Sequence, residues 1–64
     1  MSDIIEIISK EYPKGLGKPK RIEKYITKHG GIAELIPQEQ QEHVVILHGR
    51  LNDGTQVTIK KQLD

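Results

Sequence analysis

The residues of this sequence best suited to chemistry are cations, and most of them lie in one stretch. Residues 14–29 read KGLGKPKRIEKYITKH and hold six of the ten Lys and Arg residues but a single acid, Glu23. Six positive charges and one negative charge give this stretch +5, so the other residues sum to −4 and the whole chain to +1. A cluster of this kind suits a surface that binds phosphates or an acidic protein, and it is also common as a solvated lysine face in small proteins.

Three lysines of the basic stretch recur every four residues, at Lys20, Lys24 and Lys28. On a helix this spacing forms one row of like charges, which costs about 0.2–0.5 kcal/mol per pair. Lys18, Lys20 and Arg21 stand at the start of that helix, where the dipole disfavours cations. The same arrangement suits an anion, because free N–H groups, the positive helix end and cationic side chains converge there.

Other kinds of site are disfavoured by what the sequence lacks. Without Cys there are no disulfides or thiolate metal sites, and His29, His43 and His48 do not have a zinc-binding spacing. The glycines of GLGKPKR are too close together, and no Ser or Thr follows its first lysine, so the segment is not a nucleotide-binding phosphate loop. No hydroxyl lies in a catalytic motif. We therefore predict a non-enzyme without cofactor or metal.

Length and composition predict one small domain, residues 1–64. A chain of this size buries only about 60% of its unfolded surface, and the absence of Phe and Trp leaves Ile, Val, Leu and Tyr to form the core. The start has no basic region or long apolar core of a signal peptide, and no apolar run approaches the roughly 20 residues that span a bilayer. These features predict a soluble, cytoplasmic protein that does not enter a membrane.

The first element is predicted as a short helix over residues 3–12. Three Ile and Tyr12 fall on one helical face, and Asp3 followed by Glu6 resembles a capping box, although so many Ile favour a strand by propensity. Leu16 follows between two glycines and is predicted to insert into the core. Because Tyr12 and the other tyrosine both fall on predicted core faces, base stacking on single-stranded nucleic acid is disfavoured.

Two more helical segments are predicted before the last third of the chain. Pro19 suits the first position of a helix, and Gly30 ends it in the left-handed conformation. The buried face of this helix is predicted to comprise Ile22, Tyr25, Ile26 and His29. Residues 32–36 form a short apolar turn of helix that Pro37 ends, and residues 38–43 are a polar linker or a frayed extension of that helix.

The last third of the chain, EHVVILHGRLNDGTQVTIKKQL, predicts a β-hairpin. A two-residue turn at Asp53 and Gly54 would place charges opposite apolar residues. A three-residue loop at 52–54 instead pairs Leu51 with Thr55 and allows a type I turn with Gly54 left-handed. That register also pairs Gly49 with Val57 and Leu47 with Ile59, and it gathers Val45, Leu47, Leu51, Val57 and Ile59 on one face. We therefore predict the three-residue loop.

Val44 and Ile46 then lie on the other face of the hairpin. Their neighbours there are polar: His48, Arg50, Thr58 and Lys60. Two explanations stay open for these apolar residues. Either the helices or segment 38–43 cover them, or a second copy of the chain does so as a homodimer that pairs hairpins edge to edge, since a lone hairpin is marginal in water. Val44 and Ile46 are the predicted dimer or partner contact.

The predicted fold is α+β, with two short helices and a helical turn packed on a C-terminal antiparallel β-hairpin, and with a shared dimeric sheet as one alternative. The order of elements resembles a winged helix-turn-helix, with residues 44–62 as the wing. The resemblance implies that residues 32–36 belong to the recognition region. However, IAELIP is too short and too apolar to read bases in a major groove.

The favoured functional hypothesis is a small regulatory or accessory module that binds nucleic-acid phosphates, with affinity that falls steeply with salt. The predicted nucleic-acid or anion-binding residues are Lys18, Lys20, Arg21, Lys24 and Lys28 of the basic stretch, with Arg50 and Lys60 of the hairpin. The alternative is an inhibitor or adaptor that binds an acidic protein partner or adds a strand at the hairpin edge. A solvated lysine face without a partner is the third interpretation.

Overall fold

A computed structural model describes residues 3–63 and contains a four-stranded antiparallel sheet with one helix. The strands are β1 (Asp3–Ser9), β2 (Ile32–Gln41), β3 (Val44–Leu51) and β4 (Gln56–Gln62), and the helix α1 (Pro19–Lys28) lies between β1 and β2 in sequence. The strand order across the sheet is β1-β4-β3-β2. The chain thus combines helix and strand, but the predicted arrangement of helices packed on a lone C-terminal hairpin is wrong.

The predicted first helix is instead strand β1, which pairs antiparallel with β4. The register shifts between Ile4 and Glu6, so Ile5 is an extra residue in a bulge. Because of this bulge, Ile4 and Ile7 both contact the core although they are three residues apart. The bulge removes the strict alternation expected of a strand and leaves a spacing that resembles one face of a helix.

The predicted helical turn and polar linker together form strand β2, at the edge of the sheet next to β3. Pro37 is accommodated there because an edge strand has one side without ladder hydrogen bonds, and the register shifts between Pro37 and Glu39. Residues 32–36 are therefore not a recognition helix, and the resemblance to a winged helix-turn-helix is wrong. Most of β2 is exposed, which explains its polar sequence.

Both edges of the β3–β4 hairpin are paired within the chain, since β2 lies beside β3 and β1 lies beside β4. This arrangement overturns the prediction that a second copy, or a partner strand, pairs edge to edge with the hairpin. The outer side of β1 is also partly occupied, because the N–H and C=O of Ile7 bond the backbone of Leu16 at 3.1 and 2.8 Å.

The register predicted for the hairpin is confirmed. Leu47 pairs with Ile59 and Gly49 with Val57, and the N–H of Leu51 donates to the carbonyl of Thr55 at 2.8 Å. Gly54 has the left-handed φ of 93° that the three-residue loop requires. Turn chemistry and side-chain pattern therefore led to the correct pairing.

The core lies between α1 and the face of the sheet that the helix covers. Its buried members are Ile7, Leu16, Ile22, Tyr25, Leu47, Leu51, Val57 and Ile59. This set confirms that Leu16 inserts into the core and that Ile22 and Tyr25 form the buried face of a helix that begins at Pro19. Within residues 3–63, no helix has the length and apolar character needed to cross a membrane.

Candidate functional site

The exposed side of α1 carries the cations that the sequence singled out. Because Ile22 and Tyr25 anchor the helix on the sheet, the polar side points outwards. We call this surface the basic helix face, and it comprises Lys18, Lys20, Arg21, Lys24 and Lys28, all of them exposed. The charges are therefore held on a packed scaffold.

The basic helix face has little negative charge to balance it. Among the side chains that the structure describes, no carboxylate lies within ion-pair distance of its five cations. The first turn of α1 has no acidic residue, and Lys18 at the N-cap makes no side-chain capping hydrogen bond. A helix arranged for stability alone would place Ser, Asp or Asn at that position. The positive end of the helix is therefore open to an external anion.

Arg50 and Lys60 do not belong to this surface. Their strand neighbours Leu51 and Ile59 are in the core, so alternation places both cations on the opposite face of the sheet, which we call the open sheet face. There, Arg50 lies 3.5 Å from Glu34 of β2, and Lys60 lies 3.1 Å from Glu6 of β1. The structure thus brings together the five predicted residues on α1 and separates the two on the hairpin from them.

Tyr12 is a neighbour of the basic helix face that the sequence did not reveal. It was predicted in the core, but its residue is 38% exposed, because the chain leaves the sheet at Ser9 and turns. Together with cations of α1 it borders a groove of about 350 Å³. This tyrosine groove is lined by Tyr12, Leu16, Arg21, Lys24, Tyr25 and Lys28.

His29, at the end of α1, lies between two carboxylates. Its Nδ1 contacts Asp53 of the hairpin turn, and its Nε2 lies 3.5 Å from Oε1 of Glu11, an ion-pair separation beyond good hydrogen-bond length. The hydroxyl of Tyr25 donates to the same oxygen of Glu11 at 3.4 Å. These contacts connect the β1–α1 loop, the helix and the hairpin turn. The sequence predicted His29 as a helix-end residue but gave no sign of its two partners.

The stability of this cluster depends on the ionisation of Asp53. Hydrogen bonds from the Thr55 side chain, from His29 and from the Thr55 backbone N–H lower the pKa of Asp53 from 3.8 to about 2. A carboxyl whose pKa is lower in the folded state stabilises the fold above its unfolded pKa, and this stabilisation is lost as the pH falls towards the folded value. The ionised Asp53 therefore favours folding above about pH 4.

We expect Asp53→Asn to be less stable than the parent protein above about pH 4, with a difference that shrinks as the pH is lowered towards the folded pKa of about 2. Urea unfolding of both proteins at several pH values in this range measures the difference directly. A difference that is the same at both ends of the range would show that the Asp53 charge does not stabilise the fold.

Val44 and Ile46, the predicted partner contact, are half-buried on the open sheet face. Ile8 is half-buried on the same face, and Ile36 is 48% exposed. The two ion pairs on this face neutralise its main cations, so it differs in character from the basic helix face. The contact of Val44 and Ile46 with a partner or a second copy stays a prediction.

A larger cavity, of about 690 Å³, lies between the start of α1 and the ends of β1 and β4. Its walls are mainly apolar, with Ile4, Ile5, Ile22 and Ile26 beside the polar Glu23 and Lys61. Among the described residues, no group of three or more metal-ligating side chains is close enough to hold an ion.

Comparison of this chain with protein-family models, with curated proteins and with solved structures finds no match.

Proposed function

We propose that this protein binds nucleic acid through its phosphates, with the basic helix face as the contact surface. The observation that supports the proposal is a contrast between two sets of cations. Arg50 and Lys60 lie against carboxylates of neighbouring strands, whereas the five cations of α1 lack such partners among the described side chains. The lysines of the row repel one another and so destabilise the helix. The same row would stabilise a complex with an external polyanion.

The dimensions of the row are compatible with a phosphate backbone. Lys20 and Lys28 are eight residues apart, which corresponds to roughly 12 Å along a helix. Successive phosphates of one strand of a duplex advance by about 3.4 Å along its axis and also wind around it, so a row of this length lies beside a few neighbouring phosphates. A single strand is flexible and adapts to the same spacing. The row therefore presents its charges at a separation that neighbouring phosphates can meet.

The proposed activity is binding alone, without catalysis. The protein would act as a small cytoplasmic regulatory or accessory factor that binds a nucleic acid through about four phosphate contacts. In this role the positive end of α1, with Lys18 and Arg21 beside it, holds one phosphate, and the row of lysines holds those that follow. Contacts of this kind position a protein on a nucleic acid but carry no direct sequence information.

The test is a fluorescence-anisotropy titration of labelled duplex and single-stranded DNA at several salt concentrations. With about four phosphates neutralised, the slope of log K against log salt is about −3.6 for a duplex and about −2.8 for a single strand. Affinity is then expected to fall roughly 50- to 150-fold between about 50 and 200 mM salt. No binding to either probe at low salt would overturn the proposal.

A matched control is the double variant Arg50→Gln/Lys60→Gln, which removes two cations from the open sheet face. Because these side chains are paired and lie away from α1, we expect the salt slope to stay unchanged. A slope reduced by about 2 would place the contact surface on the sheet and contradict the proposal. Binding to polyglutamate without binding to nucleic acid would favour the acidic-protein alternative.

A further inference from the structure

We infer that the nucleic acid is single-stranded and that one of its unpaired bases stacks on Tyr12 in the tyrosine groove. This inference rests on the proposed phosphate contacts and adds a contact that only an unpaired base can make. Sequence-independent single-strand binding commonly combines cations along the backbone with aromatic rings under the bases. The tyrosine groove brings both components together, because Tyr12 and three cations of α1 line it.

The Tyr12 ring has a face available for stacking. Its centroid lies 5.4 Å from that of Tyr25, and the two ring planes cross at 81°. In either edge-to-face arrangement at this angle, Tyr25 covers at most one face of the Tyr12 ring. The residue is 38% exposed, and it borders the tyrosine groove. A planar base can therefore approach the ring.

The backbone of Tyr12 is held in place before any ligand binds. Its N–H donates to the carbonyl of Ser9 at 3.1 Å, and its carbonyl accepts from the N–H groups of Ser9 at 3.2 Å and Gly15 at 3.0 Å. Ser9 itself is buried in the sheet. A ring presented from a fixed turn loses less conformational freedom on binding than one on a mobile loop.

The charges around the groove favour a phosphate on its helix side. Arg21, Lys24 and Lys28 line that side. The acid Glu11 accepts a hydrogen bond from the Tyr25 hydroxyl at 3.4 Å and lies 3.5 Å from Nε2 of His29. The acid Glu23 lies on α1 and lines a second hollow that Arg21, Lys24 and Lys28 share. A strand that places a phosphate on Lys24 or Lys28 can turn its base towards Tyr12. In a duplex the bases already stack on one another and are not available to the ring.

The test compares Tyr12→Leu with Tyr12→Phe, which keeps the aromatic ring. The probes are labelled thymidine and uridine strands of about 16 nucleotides, the upper end of typical site sizes, and a duplex of the same length. Loss of one base stack is expected to weaken single-strand affinity of Tyr12→Leu roughly 5- to 150-fold. We expect Tyr12→Phe to bind like the parent protein, and duplex affinity to be the same in all three. The two strand types show whether DNA or RNA is preferred.

A strand of abasic sites supplies a second measurement, because it has the phosphates but no bases. The parent protein should bind it as weakly as Tyr12→Leu binds the thymidine strand, and the variant should bind both alike. Equal losses of Tyr12→Leu on the single strand and on the duplex would overturn the inference, as would a loss of the same size in Tyr12→Phe.

The two proposals fail in different ways. If the parent protein binds no probe at low salt, both are overturned. If it binds with the expected salt slope but Tyr12→Leu retains full single-strand affinity, the phosphate contacts stand and only the base stacking is overturned. Thermal unfolding of each variant, followed by circular dichroism, confirms that loss of affinity does not result from loss of fold.

Discussion

Replacement of Ile59 by alanine is expected to cost about 2–5 kcal/mol of unfolding free energy. Ile59 has no exposed surface and lies in β4, where it pairs with Ile7 on one side and with Leu47 on the other. Its truncation would leave a cavity bordered by neighbouring strands, which cannot close without disturbing both pairings. A chain of 64 residues has a total stability of roughly 3–10 kcal/mol. The variant should therefore lose a large fraction of the total stability and unfold at a much lower urea concentration than the parent protein.

The matched control is Ile46→Ala, in the adjacent strand. Ile46 lies on the open sheet face and is half-buried, so its truncation creates no enclosed cavity and should cost about 1 kcal/mol. Urea unfolding followed by far-ultraviolet circular dichroism compares the two variants with the parent protein. If Ile46→Ala were as destabilising as Ile59→Ala, the open sheet face would be covered in solution, as the predicted contact of Val44 and Ile46 with a second copy requires.

The hairpin was predictable because two independent signals agree there. The turn residues at 52–54 allow a three-residue loop, and that loop places every core residue of β3 and β4 on one face. A shift of one residue would expose them all. Local sequence is sufficient in such a case, because the strands that pair are adjacent in the chain.

Strands β1 and β2 were missed for different physical reasons. In β1 the extra residue Ile5 interrupts the alternation, and the remaining spacing of Ile matches a helical face. In β2 the edge position leaves both faces largely in solvent, so the sequence is polar and even contains Pro37. Pairing with distant or neighbouring strands, and not local pattern, determines the conformation of both segments.

The candidate site was predictable only where one element supplies it. The cations of α1 follow from a single helix whose start at Pro19 and whose buried face the sequence indicates. The partners of Arg50 and Lys60 are carboxylates on β2 and β1, so their neutralisation depended on a sheet order that the sequence did not indicate. The exposure of Tyr12 was missed because its predicted burial depended on a helix that is in fact a strand and a turn.

The triple variant Lys20→Gln/Lys24→Gln/Lys28→Gln is expected to lose affinity for nucleic acid and to gain stability. Three lost phosphate contacts reduce the salt slope for a single strand by about 2, which corresponds to roughly 400-fold weaker binding at about 50 mM salt. Two like-charged i,i+4 pairs are removed at the same time, which should stabilise the helix by about 0.4–1 kcal/mol. Gln and Lys have similar helix propensities, so propensity does not obscure this gain.

Opposite signs for binding and stability distinguish a binding surface from an ordinary solvated one. A control with the same change in net charge is Lys10→Gln/Arg50→Gln/Lys60→Gln, in which Arg50 and Lys60 lie on the open sheet face and Lys10 lies beside His48 and Thr58 of that face. Anisotropy titrations and thermal unfolding of both triple variants separate the effect of position from that of net charge.

If the two variants lose affinity equally, attraction by overall charge explains the binding. If the α1 variant gains stability and keeps its affinity, the lysine row is only a repulsive surface. A loss of affinity confined to the α1 variant would show that the row is maintained, against its own repulsion, for a polyanionic ligand.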